Sequence, residues 1–77
     1  MYDVERLIKI VDALHENGND MWSNNLRSEL ELSQDEFLFN IEKLKDMGYL
    51  REVIGKKSLE LRIFLTDEGI ELAESEE

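Results

Sequence analysis

Apolar residues recur at Val4, Leu7, Ile8, Val11 and Leu14, three or four apart, so the spacing predicts an amphipathic helix with one buried stripe. Asp3 is placed to cap its start, and Asn17-Gly18 to end it, since both residue types tolerate the left-handed backbone of a helix stop. Asn19-Asp20 reads as loop. Ser23 then caps a second helix of about two turns through Leu26 and Leu30. Trp22, the sole tryptophan, is expected as a plug in the core, with a short strand at this point as the alternative. Glu31-Leu32 turns the chain. Ser33 and Glu36 form a capping box, S-x-x-E, at the head of a third helix. Phe37, Ile41 and Leu44 form its buried stripe, Met47 flanks it, and Gly48 stops it.

Past Gly48 the period changes from about 3.6 to 2. Residues 49–54 carry strand-forming types, Gly55-Lys56-Lys57 is a turn, and 58–65 alternates. Leu59, Leu61, Ile63 and Leu65 share one face; Ser58, Glu60, Arg62 and Phe64 share the other. Thr66 caps a last short helix whose apolar side is Ile70, Leu72 and Ala73, and 74–77 is a fraying acidic tail. The expected core is Leu7, Ile8, Val11, Leu14, Trp22, Leu26, Leu30, Phe37, Ile41, Leu44, Leu50, Leu61, Ile63 and Leu65. The fold class is α+β: a winged helix-turn-helix with a three-helix core, a C-terminal β-hairpin wing and a short final helix, in one domain over 1–77.

At 77 residues the core is small, so a second chain could contribute stability. The formal charge of −10 repels a phosphate backbone on average, but it is unevenly spread. Residues 1–32 carry net −4, 33–50 net −2 and 63–77 net −6, while 51–62 carries net +2. Only the wing is positive.

There is no cysteine, hence no disulfide or thiolate site, and one histidine, His15, expected as a partly buried packing residue. No glycine-rich phosphate loop, nucleophile–base pair or metal-ligand spacing stands out, so no enzyme activity, metal or cofactor is expected. No apolar run approaches the roughly 20 residues of a bilayer span. The N-terminus lacks the basic-then-apolar layout of a secretory signal, so a cytoplasmic protein without membrane contact is expected.

Three stretches carry a resemblance. The first is the Leu26-x-x-x-Leu30 helix with the Leu32-Ser33-Gln34 entry to the helix after it, the second Leu44-x-x-Met47-Gly48-Tyr49-Leu50, and the third Phe64-Leu65-Thr66-Asp67-Glu68-Gly69-Ile70-Glu71-Leu72-Ala73. Together they resemble winged helix-turn-helix transcription regulators of the multiple-antibiotic-resistance (MarR-like) type, over nearly the whole chain. The resemblance implies that helix 33–47 enters a DNA major groove. Gln34, Asn40 and Lys43 would then be the contacts, the amides reading adenine edges and the lysine meeting phosphate. It also implies that the wing lies along the backbone through Arg51, Lys56, Lys57 and Arg62.

Helical spacing sets Phe39 nearly opposite the buried stripe. With Leu38 it forms a small apolar patch rimmed by charge, the anatomy of a protein interface. Two functions follow. One is a small DNA-binding transcription regulator with duplex DNA as partner. The alternative is a winged-helix protein-interaction module with little or no DNA binding, its partner another protein or a second copy.

Overall fold

The structure, a computed structural model, describes residues 4–54 and 61–75. In chain order the elements are α1 (Val4–Glu16), β1 (Asp20–Trp22), α2 (Ser23–Leu30), α3 (Gln34–Asp46), β2 (Leu50–Ile54), β3 (Leu61–Leu65) and α4 (Asp67–Ser75). The strands form one antiparallel sheet in the order β1-β3-β2. This is the α+β winged helix-turn-helix expected from the sequence. The expected turn at Gly55-Lys56-Lys57, the cap at Asp3 and the end of the tail lie outside the described residues.

The buried stripe of α1 is Leu7, Ile10, Val11 and Leu14. The expected stripe is therefore rotated: Ile10 is fully buried, Ile8 is half-buried and Val4 is exposed. Either set satisfies helical spacing. Packing of α1 against α2, α4 and β3 chooses between them. Gly18 and Asn19 then take left-handed backbone. The Asn19 amide donates to the Leu14 carbonyl at 2.8 Å, and the Asn19 carbonyl accepts from the Leu65 amide at 2.9 Å. His15 is half-buried as expected, with Nδ1 2.8 Å from the Asn19 side-chain oxygen.

At β1 the short strand is what forms, and it corrects the reading of Trp22 as a core plug. Successive strand residues point to opposite faces. Met21 takes the inward position and is buried, whereas Trp22 stands half-buried on the other face. The guanidinium of Arg62, its partner in the ladder, lies 4.9 Å from the ring centroid. Trp22 also holds the N-cap position of α2 in extended backbone, with no side-chain cap. Ser23 is thus the first helical residue and not the cap.

Leu26 fills the core from α2, and Leu30 is half-buried. Glu31 ends α2 in left-handed backbone at φ 54°, a strained position for a side chain with a Cβ. The Ser33 cap forms: its Oγ accepts from the Glu36 amide at 3.2 Å. Phe37, Ile41 and Leu44 are buried as expected, and Gly48 adopts φ +86° just past the helix.

Ile63, Leu65 and Leu50 carry the sheet side of the core, while Leu61 is half-buried near the end of the hairpin. Thr66 caps α4 by accepting from the Gly69 amide at 3.1 Å, and its hydroxyl donates to the Gly48 carbonyl at 2.6 Å. One threonine therefore ties the end of the helix-turn-helix to the helix that follows the wing.

Candidate nucleic-acid interface

The face available for contact is set by the angle each α3 residue takes at about 100° per position. The core takes Phe37, Ile41 and Leu44. Directly opposite runs the line Asp35, Phe39, Glu42 and Asp46, all exposed. Toward the sheet, the line is flanked by Gln34 and Leu38, both exposed. On the side of α1 it is flanked by Lys43, whose Nζ lies 6.0 Å from the Phe39 ring centroid. Leu38 and Phe39 are 44% and 43% exposed, so the apolar patch expected from the sequence stands on the surface.

Asn40 does not stand with them. It is 3% exposed, so its expected place among the outward, base-reading residues is corrected. Its angle puts it one turn on from Glu36, on the side that faces α1. Its Nδ2 donates to the Glu36 carbonyl at 2.7 Å, and its Oδ1 finds no partner among the described residues. Such an amide cannot reach a base edge while the helix keeps its packing. Asn40→Ala should therefore shift stability by no more than about 1 kcal/mol, because a lost hydrogen bond is offset by removal of a buried orphan acceptor. It should leave duplex affinity unchanged. A base-reading amide would lose about 1–3 kcal/mol of discrimination on the same change. Denaturant titration and a fluorescence titration with duplex DNA measure the two effects.

Ion pairs fix both edges of α3. Arg6 of α1 pairs with Glu36. Lys45 meets Glu42 of its own helix at 3.2 Å and Glu52 of β2 at 2.6 Å. The hydrogen bond that the Lys45 ammonium donates to Glu52, then the one it donates to Glu42, holds it above its ordinary value of 10.5. This three-membered cluster links the wing strand to α3. The sequence could offer Glu42 and Lys45 as a helical i,i+3 pair. Glu52 enters only through the register of β2.

The wing bases sort differently. Arg51 pairs with Phe64 across the ladder, and Arg62 pairs with both Val53 and Trp22. Ile63, the intervening residue of β3, is buried, so Arg51 and Arg62 occupy the sheet face turned away from the helical core. The Arg51 guanidinium lies 4.7 Å from the Phe64 centroid. Arg62 is further held by an ion pair with Asp20. Lys56 and Lys57 lie outside the described residues. The structure thus gathers Gln34, Leu38, Phe39 and Lys43 around one helix and sets Arg51 and Arg62 on the far side of the sheet.

Between α2, α3 and the wing is an open hollow of about 210 Å³, lined in part by Asn24, Arg27, Gln34, Leu38, Glu52 and Leu61. Arg27 is a base that the sequence reading missed. It lies on the inward-turning side of α2 and reaches this hollow only through the crossing of the two helices. Among the described residues no three His, Asp or Glu side chains converge as a metal site would require. No described helix is long and apolar enough to cross a membrane.

No family model matches the chain, and no curated protein matches it. Among solved structures it is similar to the PcaV transcriptional regulator from Streptomyces coelicolor in complex with its natural ligand, with a TM-score of 0.81 and 17% identity. The match covers 90% of this chain and 49% of that one, so the chain spans about half the length of that regulator. At this identity the likeness is one of fold: the chain folds as a winged helix-turn-helix, as the stretches around Leu44–Leu50 and Leu65–Ile70 implied.

Proposed function

We propose that this chain is a small winged-helix DNA-binding protein that acts as a transcription regulator in the cytoplasm. The observation that carries the reading is the likeness in fold of 90% of the chain to a transcriptional regulator. Charge sets the mode of contact. The outward line of α3 bears three carboxylates, so duplex contact rests mainly on the positive segment 51–62. Arg51, Lys56 and Lys57 meet phosphates, and Arg62, ion-paired with Asp20, steadies the pairing of β1 with β3. Gln34 and Lys43 approach the groove from the flanks of α3. A pair of chains would present two wings to one duplex.

Titration of random-sequence duplex at low and at moderate salt tests this. The parent should bind at low salt and weaken steeply as salt rises, since each phosphate contact contributes a slope of about −0.9 in log affinity against log salt. The double change Lys56→Glu with Lys57→Glu should abolish binding. Absence of low-salt binding by the parent would end the reading. Light scattering on the free protein gives the number of copies.

A second reading has its own support. Leu38 and Phe39 are large apolar side chains exposed side by side on a charged helix. That is the composition of a protein-contact face, with an apolar centre and a polar rim. Here the chain is a protein-interaction module with little or no affinity for DNA. Phe39→Ala should then weaken association with the partner and leave any duplex binding unchanged.

A further inference from the structure

We propose that the outward face of α3 docks a basic segment of another protein that carries apolar anchors, an inference that rests on the second reading above. Asp35, Phe39, Glu42 and Asp46 fall within a sector of about 60° opposite the core stripe, and all four are exposed. Phe39 is therefore an apolar centre flanked by carboxylates along the exposed line of α3. Leu38 stands one position round, at the rim of the 210 Å³ hollow beside Arg27 and Gln34. Glu42 shares the Lys45 ammonium with Glu52, so two carboxylates divide one positive charge there.

Charge decides among occupants. A duplex would bring phosphates against Asp35, Glu42 and Asp46. A second copy would bring the same acidic line, on a chain of net charge −10, against itself. A segment bearing Lys or Arg pairs with these carboxylates at the rim. Its apolar side chains cover Phe39 and enter the hollow next to Leu38. Complementary rim charge sets the encounter and the register, and burial of the aromatic ring supplies affinity.

The probe is an amphipathic lysine–leucine peptide, titrated calorimetrically into the intact chain at about 0.15 M salt, where long-range attraction between exposed charges is screened. The parent should bind it. Phe39→Ser should weaken binding by about tenfold or more, the loss typical of an aromatic anchor. Asp35→Lys with Asp46→Lys should weaken it comparably. Glu71→Lys with Glu74→Lys, an equal charge change on α4, should leave it unaltered. All of these positions are exposed, so the variants should melt like the parent.

Four results would each overturn the proposal: no binding by the parent, full binding by Phe39→Ser, equal losses from the α3 and α4 charge pairs, or a halving of solution mass on Phe39→Ser. The last would assign the face to a second copy. Titration of the parent with random-sequence duplex at low salt is run beside the peptide titration. Failure of the DNA reading is thereby distinguished from failure of this one.

Discussion

Ile10→Ala is expected to lower folding stability by about 2–5 kcal/mol, whereas Ile8→Ala should cost no more than about 1 kcal/mol. Ile10 has no exposed surface; it stands in the cluster with Leu7, Val11, Leu14, Leu26 and Ile63. Its truncation removes the transfer free energy of the lost carbons and leaves a cavity that α1 cannot close without leaving α2 and α4. Ile8 lines an open apolar groove with Val4, Met47 and Leu72, so its loss is met partly by solvent. A chain of 77 residues has roughly 4–12 kcal/mol of stability in all, so the first change removes a large part of it. Guanidinium denaturation gives both values from the midpoints at constant slope. A cost for Ile8→Ala equal to that for Ile10→Ala would place the buried stripe where the spacing of Val4, Ile8 and Val11 alone puts it.

Gly69→Ala is expected to destabilise by about 1–3 kcal/mol, against the usual sign of that change. In an open helix, alanine in place of glycine gains up to about 1 kcal/mol of backbone entropy and propensity. Here a Cβ at residue 69 would lie 2.3 Å from the Tyr49 carbonyl oxygen and 3.0 Å from Leu65 Cδ2. The first of these is backbone, which cannot turn away as a side chain would. Relief requires α4 to lift from the 48–50 segment. That strains the Thr66 hydroxyl's bond to Gly48 and the 3.0 Å bond from the Thr66 amide to the Tyr49 carbonyl. It also withdraws Ala73 from the core. Thermal melting reads the effect, at about 4–8 °C per kcal/mol for a domain of this size. A raised melting temperature would show that α4 is free to move off the turn.

Much of the candidate site was legible in the pattern of residues, but unevenly. Ser33 with Glu36, then Phe37, Ile41, Leu44 and Gly48, located α3 and its exposed side, because cap, stripe and stop agree with one another. That agreement set Phe39 outward, and so it stands. Asn40 misled because a polar side chain at the edge of the stripe is read as solvent-facing by type. Its angle puts it toward α1, and the contact between α1 and α3 buries it. Arg51 and Arg62 were legible as positive charge in the wing. The face they occupy, and the rings of Phe64 and Trp22 they cover, depend on the pairing of β3 with both neighbours.

What the sequence determined by itself is local. Periods of 3.6 and 2 separated helices from hairpin, Ser33 and Thr66 began helices, and Gly48 ended one, since each acts through backbone conformation or hydrogen bonds within a few residues. Tertiary structure decided whatever needs a second surface to define it. Which of two permitted stripes on α1 is buried depends on the helices and strand laid against it. Whether Met21 or Trp22 turns inward depends on the strand they join. The crowding of Gly69 by a carbonyl twenty positions earlier, and the bridge from Lys45 to Glu52, exist only once distant segments lie at a fixed distance from each other.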